Sequence, residues 1–168
     1  MISLSEEELI RAGVSPISAV QLPTESGGGY MAYLSSHHHL HCLYLLHQSL
    51  HPGYYSTRSV IWLEMLDPKR RLSHFDHCVE ALRQYVTCNA DTTVVTHQWF
   101  EDYPLPVPNQ ENPRKCVDWD AHLEWQKGRQ VPAPKEPVSK PPDAVLQSFR
   151  PTKPPPESLG MYISEAEI

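Results

Sequence analysis

No stretch of this chain approaches the roughly 20 consecutive apolar residues that span a bilayer, and no charged-then-apolar leader opens it. The expectation is a soluble protein, with the cytoplasm and the lumen of a secretory compartment both left open. Positive charge is scarce as well: 14 Lys and Arg against 20 Asp and Glu give a net charge of -6. With no basic stripe, a nucleic-acid surface is not expected. Cysteine is limited to four, none in a CxxC pair, which argues against a zinc knuckle or a thioredoxin-type centre. Four are too few for a disulfide scaffold and enough for two bridges.

Proline and histidine are plentiful instead. Nine of the 17 prolines follow Val131, and a segment so rich in proline builds neither helices nor sheet ladders. Residues 1–130 are therefore expected to form a single domain, with 131–168 a disordered tail. Within the domain, "SLSEEELIRAG" carries the start and stop marks of a short helix, from Ser3 or Ser5 to Gly13. Residues 38–50 read as a helix whose apolar stripe is Leu40, Leu43, Leu46 and Leu50. A second short helix is placed at "VIWLEML". A strong one follows, headed by a Ser73–Asp76 capping box and running to about Cys88. "TTVVTHQW" reads as extended, "YPLPVPN" as a proline loop, and "DWDAHLEWQKG" as a last helix from Asp118 to Gly128. The fold class is mainly α with minor β: a small helical domain with one short extended segment. Trp62, Trp99, Trp119 and Trp125 are expected in its core.

The histidines are not scattered. "HHLHC" at 38–42 and "HFDHC" at 74–78 both fit H-x-x-H-C. Histidine is an indifferent helix former, so its placement at the head of two helices asks for a chemical reason. On a helix, residues three apart share a face with Cβ atoms about 5–6 Å apart. His38 with His41, and His74 with His77, can each converge on one metal ion. At about 100° per residue, Cys42 and Cys78 join those faces, and Tyr85 and Cys88 follow on the second helix. Asp76 and Arg83 fall nearly opposite. The expected ligands are thus His38, His41, His74 and His77. Imidazole suits copper, zinc and iron, and copper binds such donors most tightly. His37, His39, His47 and His51 point to other faces and are expected to be solvated or supporting groups.

Cys42 and Cys78 are either sulfur ligands or half-cystines, and bridges are favoured because a thiolate beside an oxidising centre is vulnerable. Cys78 and Cys88 lie about 15 Å apart along one helix, beyond disulfide reach. The surviving pairings are Cys42–Cys78 with Cys88–Cys116, or Cys42–Cys88 with Cys78–Cys116. In "CNADTT", Asp91 and Thr92 either cap the helix exit or support the site, Asp91 by orienting a ligating imidazole. Tyr85 and Arg83 are further supporting candidates.

The segments "GGGYMAYLSSHHHLHCLYLLHQSL", "HFDHCVEALRQYVTCNADTTVVTHQW" and "RKCVDWDAHLEWQ", in this order, resemble the UstYa family of fungal proteins. Many members begin with a membrane-spanning helix, which is not seen here, and His37 and His39 replace the aromatic residue and glutamine usual around the first motif histidine. The resemblance implies oxidative tailoring of a secondary metabolite: peptide cyclisation, hydroxylation, desaturation or copper-dependent halogenation. It places His38, His41, Cys42, His74, His77 and Cys78 at the family's motif positions. The expected activity is a copper-dependent oxidase acting on a small-molecule or peptide substrate. The alternatives are a redox-neutral cyclase using the same pocket and a helper subunit without turnover. A homo-oligomer, or a hetero-oligomer with another UstYa-like protein, is compatible with either.

Overall fold

A computed structural model describes residues 1–59, 67–109 and 111–146. The elements in chain order are β1 (Ile2–Leu4), α1 (Glu6–Arg11), β2 (Tyr30–Ala32), α2 (Ser35–Leu50), α3 (Pro52–Tyr55), α4 (Pro68–Asn89), β3 (His97–Phe100), β4 (Tyr103–Pro108) and α5 (Trp119–Lys127). The class is mainly α with minor β, as the sequence suggests. The β content exceeds one extended segment: β1 pairs with β2, and β3 with β4, in two antiparallel two-stranded sheets.

Local chemistry explains most boundaries. Ser5 and Glu8 close a reciprocal capping box on α1, which satisfies two otherwise orphaned backbone donors. The helix α4 starts at Pro68, ahead of the expected Ser73–Asp76 box. Asp67 caps it by accepting from the Lys69 N–H, and proline at the first helical position carries no donor to waste. Asp118 caps α5 by accepting from the Ala121 N–H, as its sequence indicates. The helix proposed at "VIWLEML", Trp62 and the tail beyond residue 146 lie outside the described residues.

"YPLPVPN" is not a loop. It forms β4, with His97 opposite Pro108, Gln98 opposite Val107 and Phe100 opposite Tyr103. Pro104, Pro106 and Pro108 alternate along it, so their missing N–H groups all fall on the open edge, where proline is tolerated.

The N-terminal sheet is joined to the end of the domain. Ile2 bridges to Gln130, and the Glu8 carboxylate pairs with Arg129 at 2.6 Å. Gly29 sits at φ 72° on the approach to β2, where an added Cβ would collide with the Ser3 hydroxyl and the Leu4 carbonyl.

The centre of the molecule is the packing of α2 on α4. Cys42, Leu45 and Cys78 are fully buried there, with Leu46, Phe75, Ala81 and Leu82 packed around them. On α2 the buried face runs through Cys42, Leu45 and Gln48, a helical spacing. The expected leucine stripe is turned the other way: Leu40, Leu43 and Leu50 are exposed, and only Leu46 reaches the core. The histidine and cysteine face wins the contact with α4. Trp99, Trp119 and Trp125 are likewise exposed rather than core residues.

Candidate functional site

The N-terminal half of α2 and the middle of α4 bring both motifs together. The His38 ring meets the His77 ring with centroids 5.2 Å apart, and His41 meets His74 at 5.9 Å. Along the helices, His38 and His41 are separated by 6.4 Å, and His74 and His77 by 6.2 Å. The first histidine of each motif faces the second of the other, so the helices run antiparallel and the two motifs are related by a local two-fold axis. The Cys42 and Cys78 thiols, one from each motif, are buried together in the core cluster between the helices. Cys42 Sγ also lies 3.7 Å from His38 Nε2.

All four cysteines are free thiols in this structure, Cys42 and Cys78 buried, Cys88 and Cys116 exposed. None of the expected bridges is formed. Burial, with the neighbouring Cys42 thiol as the lesser cause, pushes the Cys78 pKa up to about 12. A thiol so placed stays protonated at neutral pH.

The imidazoles form an incomplete cage. His38 Nε2 and His77 Nε2 stand 3.3 Å apart. Two imidazole nitrogens bound to one ion at about 2.0–2.1 Å and a tetrahedral angle are about 3.3–3.4 Å apart. That pair is spaced for a common ion. His41 and His74 stand farther off, and among the described residues no set of three or more His, Cys, Asp or Glu side chains is gathered at ligating distance. The donor chemistry still fits a metal, because a ligand must be neutral. Burial first, then the surrounding imidazoles, lowers the pKa of His38 and of His74.

His38, His41 and His74 open onto a cavity of about 440 Å³, whose other walls are Tyr33 and His37. His37 was expected to point away. Because α2 begins at Ser35, His37 lies one turn before His41 and shares its face. His122 and Trp119 of α5 stack with each other at 5.0 Å and lie beside His37 at 6.5 and 6.3 Å. Ser36 Oγ and His122 Nε2 are 3.2 Å apart, holding α5 to the start of α2. The i, i+3 pair Trp119–His122 is the sequence signal that would have found this contact.

The supporting candidates divide. Tyr85 packs on the His39 ring at 4.4 Å. Arg83 is held away by a two-pronged ion pair with Glu80, both contacts 2.8 Å. Asp91 accepts from the Thr93 N–H and hydroxyl at 2.9 and 2.7 Å, which makes a local turn after α4 rather than support for an imidazole; Thr92 is exposed. His47 and His51 pair at 4.8 Å at the far end of α2.

Fold and site together define a helix-pair domain in which the motif histidines face each other across the two helices. The chain belongs to the UstYa family: the family model described as mycotoxin biosynthesis protein UstYa matches residues 1–129. It is 32% identical over 139 residues to the UstYa family oxidase aprY of Aspergillus flavus, covering 79% of this chain and 41% of aprY. It is 27% identical over 128 residues to the chlorinase cctP2 of Talaromyces islandicus, covering 76% of this chain and 36% of that protein. To the transacylase cctO of the same fungus it is 37% identical over 90 residues, 51% of this chain and 29% of cctO. The chain therefore spans less than half the length of these relatives. No solved structure matches it. Among the described residues no helix is long and apolar enough to cross a membrane.

Two predictions follow from these side chains. In the folded protein His38 and His74 titrate below the ordinary imidazole value of 6.5, so the unfolded chain binds more protons between the two. Stability from these neutral rings is fully present above about pH 6.5 and is lost as pH falls through that value toward the folded ones. Melting of metal-free protein should fall between pH 7.5 and pH 5, above the range where carboxylates titrate, and less steeply in His38→Gln. An unchanged melting temperature over that range would contradict the buried neutral state. For the thiols, a pKa of about 12 leaves about one Cys78 in ten thousand ionised at pH 8. In reduced native protein, iodoacetamide should label Cys88 and Cys116 at least about 100-fold faster than Cys42 and Cys78. Four equal rates by peptide mass spectrometry would show the helix crossing to be open.

Proposed function

We propose that this domain tailors a fungal secondary metabolite by oxidation, such as cyclisation, hydroxylation or halogenation of a peptide or polyketide intermediate, with copper held by His38, His41, His74 and His77. The observation that carries this reading is the convergence of four imidazoles, from two antiparallel helices, beside a cavity of about 440 Å³. Relatives named as an oxidase and a chlorinase support it. Bound copper supplies one-electron chemistry with dioxygen or peroxide; zinc and iron suit the same donors.

The protein's own contributions are distinct from the metal's. A cavity of this size suits a small molecule or a peptide side chain, and Tyr33 and His37 give it aromatic walls for positioning. In the metal-free state the 3.3 Å contact between His38 and His77 needs one proton on one of the two nitrogens. Ligation through both Nε2 atoms would move that proton to Nδ1 of the same ring without releasing it, so affinity would fall only as pH drops far enough for the rings to take up a second proton. The paired thiols sit behind the imidazoles and keep the helices in register.

A redox-neutral use of the same pocket has its own support in the relative named as a transacylase. The two readings separate on oxygen. Copper-loaded protein supplied with ascorbate should consume dioxygen and hold about one copper per chain. His38→Ala and His77→Ala should each weaken copper retention by at least about tenfold, the usual lower bound for losing such support. Full copper retention in both variants would remove the proposed site, and metal binding without oxygen consumption would favour the redox-neutral reading.

A further inference from the structure

Two apolar surfaces are left without cover among the described residues. The first is the hairpin of β3 and β4, whose strands pack chiefly on each other. Trp99 is 75% exposed and Leu105 59%, with Phe100 and Tyr103 each about half exposed. Strand alternation sets Tyr103, Leu105 and Val107 on one face, and Phe100 opposite Tyr103 adds to it. A lone two-stranded hairpin is marginally stable at best in water and needs something to pack against. The second surface is the outer stripe of α2, where Leu43 is 57% and Tyr44 51% exposed, with Leu40 and Leu50 beside them. These positions recur at the spacing of a buried helix face, yet the face that meets α4 is the other one.

We infer that the chain forms a two-fold dimer in which the β3–β4 hairpin of each copy lies on the outer α2 stripe of the other. The two surfaces occur on one chain, so a second copy supplies what each lacks, and the exchange closes after two contacts. The area suffices. Phe100, Tyr103, Leu105, Leu40, Leu43, Tyr44 and Leu50 are each about half exposed or more, together on the order of 700 Å², close to the 800 Å² per partner of a stable interface. The open edge of β4 displays carbonyls but no N–H at Pro104, Pro106 and Pro108, so it cannot take another strand as a full ladder partner. The contact is therefore made by side chains on the hairpin face, which also limits growth into longer sheets.

Light scattering coupled to gel filtration on the whole chain, from 1 to 100 µM, reads the state directly. The expected mass is twice the 19.2 kDa of the chain. Leu43→Glu and Leu105→Glu lie outside the histidine site, and each should give monomers with unchanged far-ultraviolet helix content. Mixing the two variants is the decisive arm. A mixed pair rebuilds one intact hairpin-on-α2 contact, so the mixture should dimerise more strongly than either variant alone, by tenfold or more in dissociation constant. Wild-type chain that stays monomeric at 100 µM would overturn the inference, whether the surfaces are covered from within the chain or by a different protein. Dimers untouched by either variant, or no gain on mixing, would overturn it too.

Discussion

The meeting of the two histidine motifs depends on how closely α2 can approach α4. Cys42 and Cys78, both fully buried, stand at that crossing. Their side chains are small, so the backbones come near enough for imidazoles on the two helices to touch. A bulkier pair would hold the helices apart and separate His38 from His77, whose nitrogens are now 3.3 Å apart. The cysteine of H-x-x-H-C thus sets the distance, and the histidines use it. Antiparallel packing of two identical motifs then produces a two-fold arrangement without any duplication of the rest of the fold.

Gathering imidazoles in this way has an electrostatic consequence. Burial first, and then the neighbouring imidazoles, disfavour a proton on His38 and on His74. The start of α2 lies beside them, and a helix N-terminus disfavours positive charge. His38 and His74 are therefore biased toward the neutral form, the protonation state in which imidazole is a ligand. An arrangement meant only for stability would not place so many polar rings together, since apolar side chains of similar volume would pack there at less desolvation cost.

The two motif helices, the α5 cap at Asp118 and the grouping of four histidines could be read from spacing alone, because helical periodicity converts directly into a shared face. The outward turn of the leucine stripe on α2 could not. Periodicity identifies an apolar face but does not say which of two faces meets a neighbour, and here Cys42, Leu45 and Gln48 win over Leu40 and Leu43. His37 was misplaced for a related reason: starting α2 at 38 instead of Ser35 hides its one-turn relation to His41. Asp91 was ambiguous because an aspartate before a threonine serves a turn as readily as a site. The β4 strand was hidden by prolines that usually end strands, and their alternation was the clue that all three face one edge.

The claim that both helices supply ligands to a single ion is tested most directly by electron paramagnetic resonance of the copper(II)-loaded protein. The account predicts nitrogen superhyperfine structure that changes in His38→Ala and again in His77→Ala, one variant from each helix, with no thiolate charge-transfer band in the visible spectrum. A spectrum identical in the wild type and both variants, or one dominated by sulfur coordination, would contradict it.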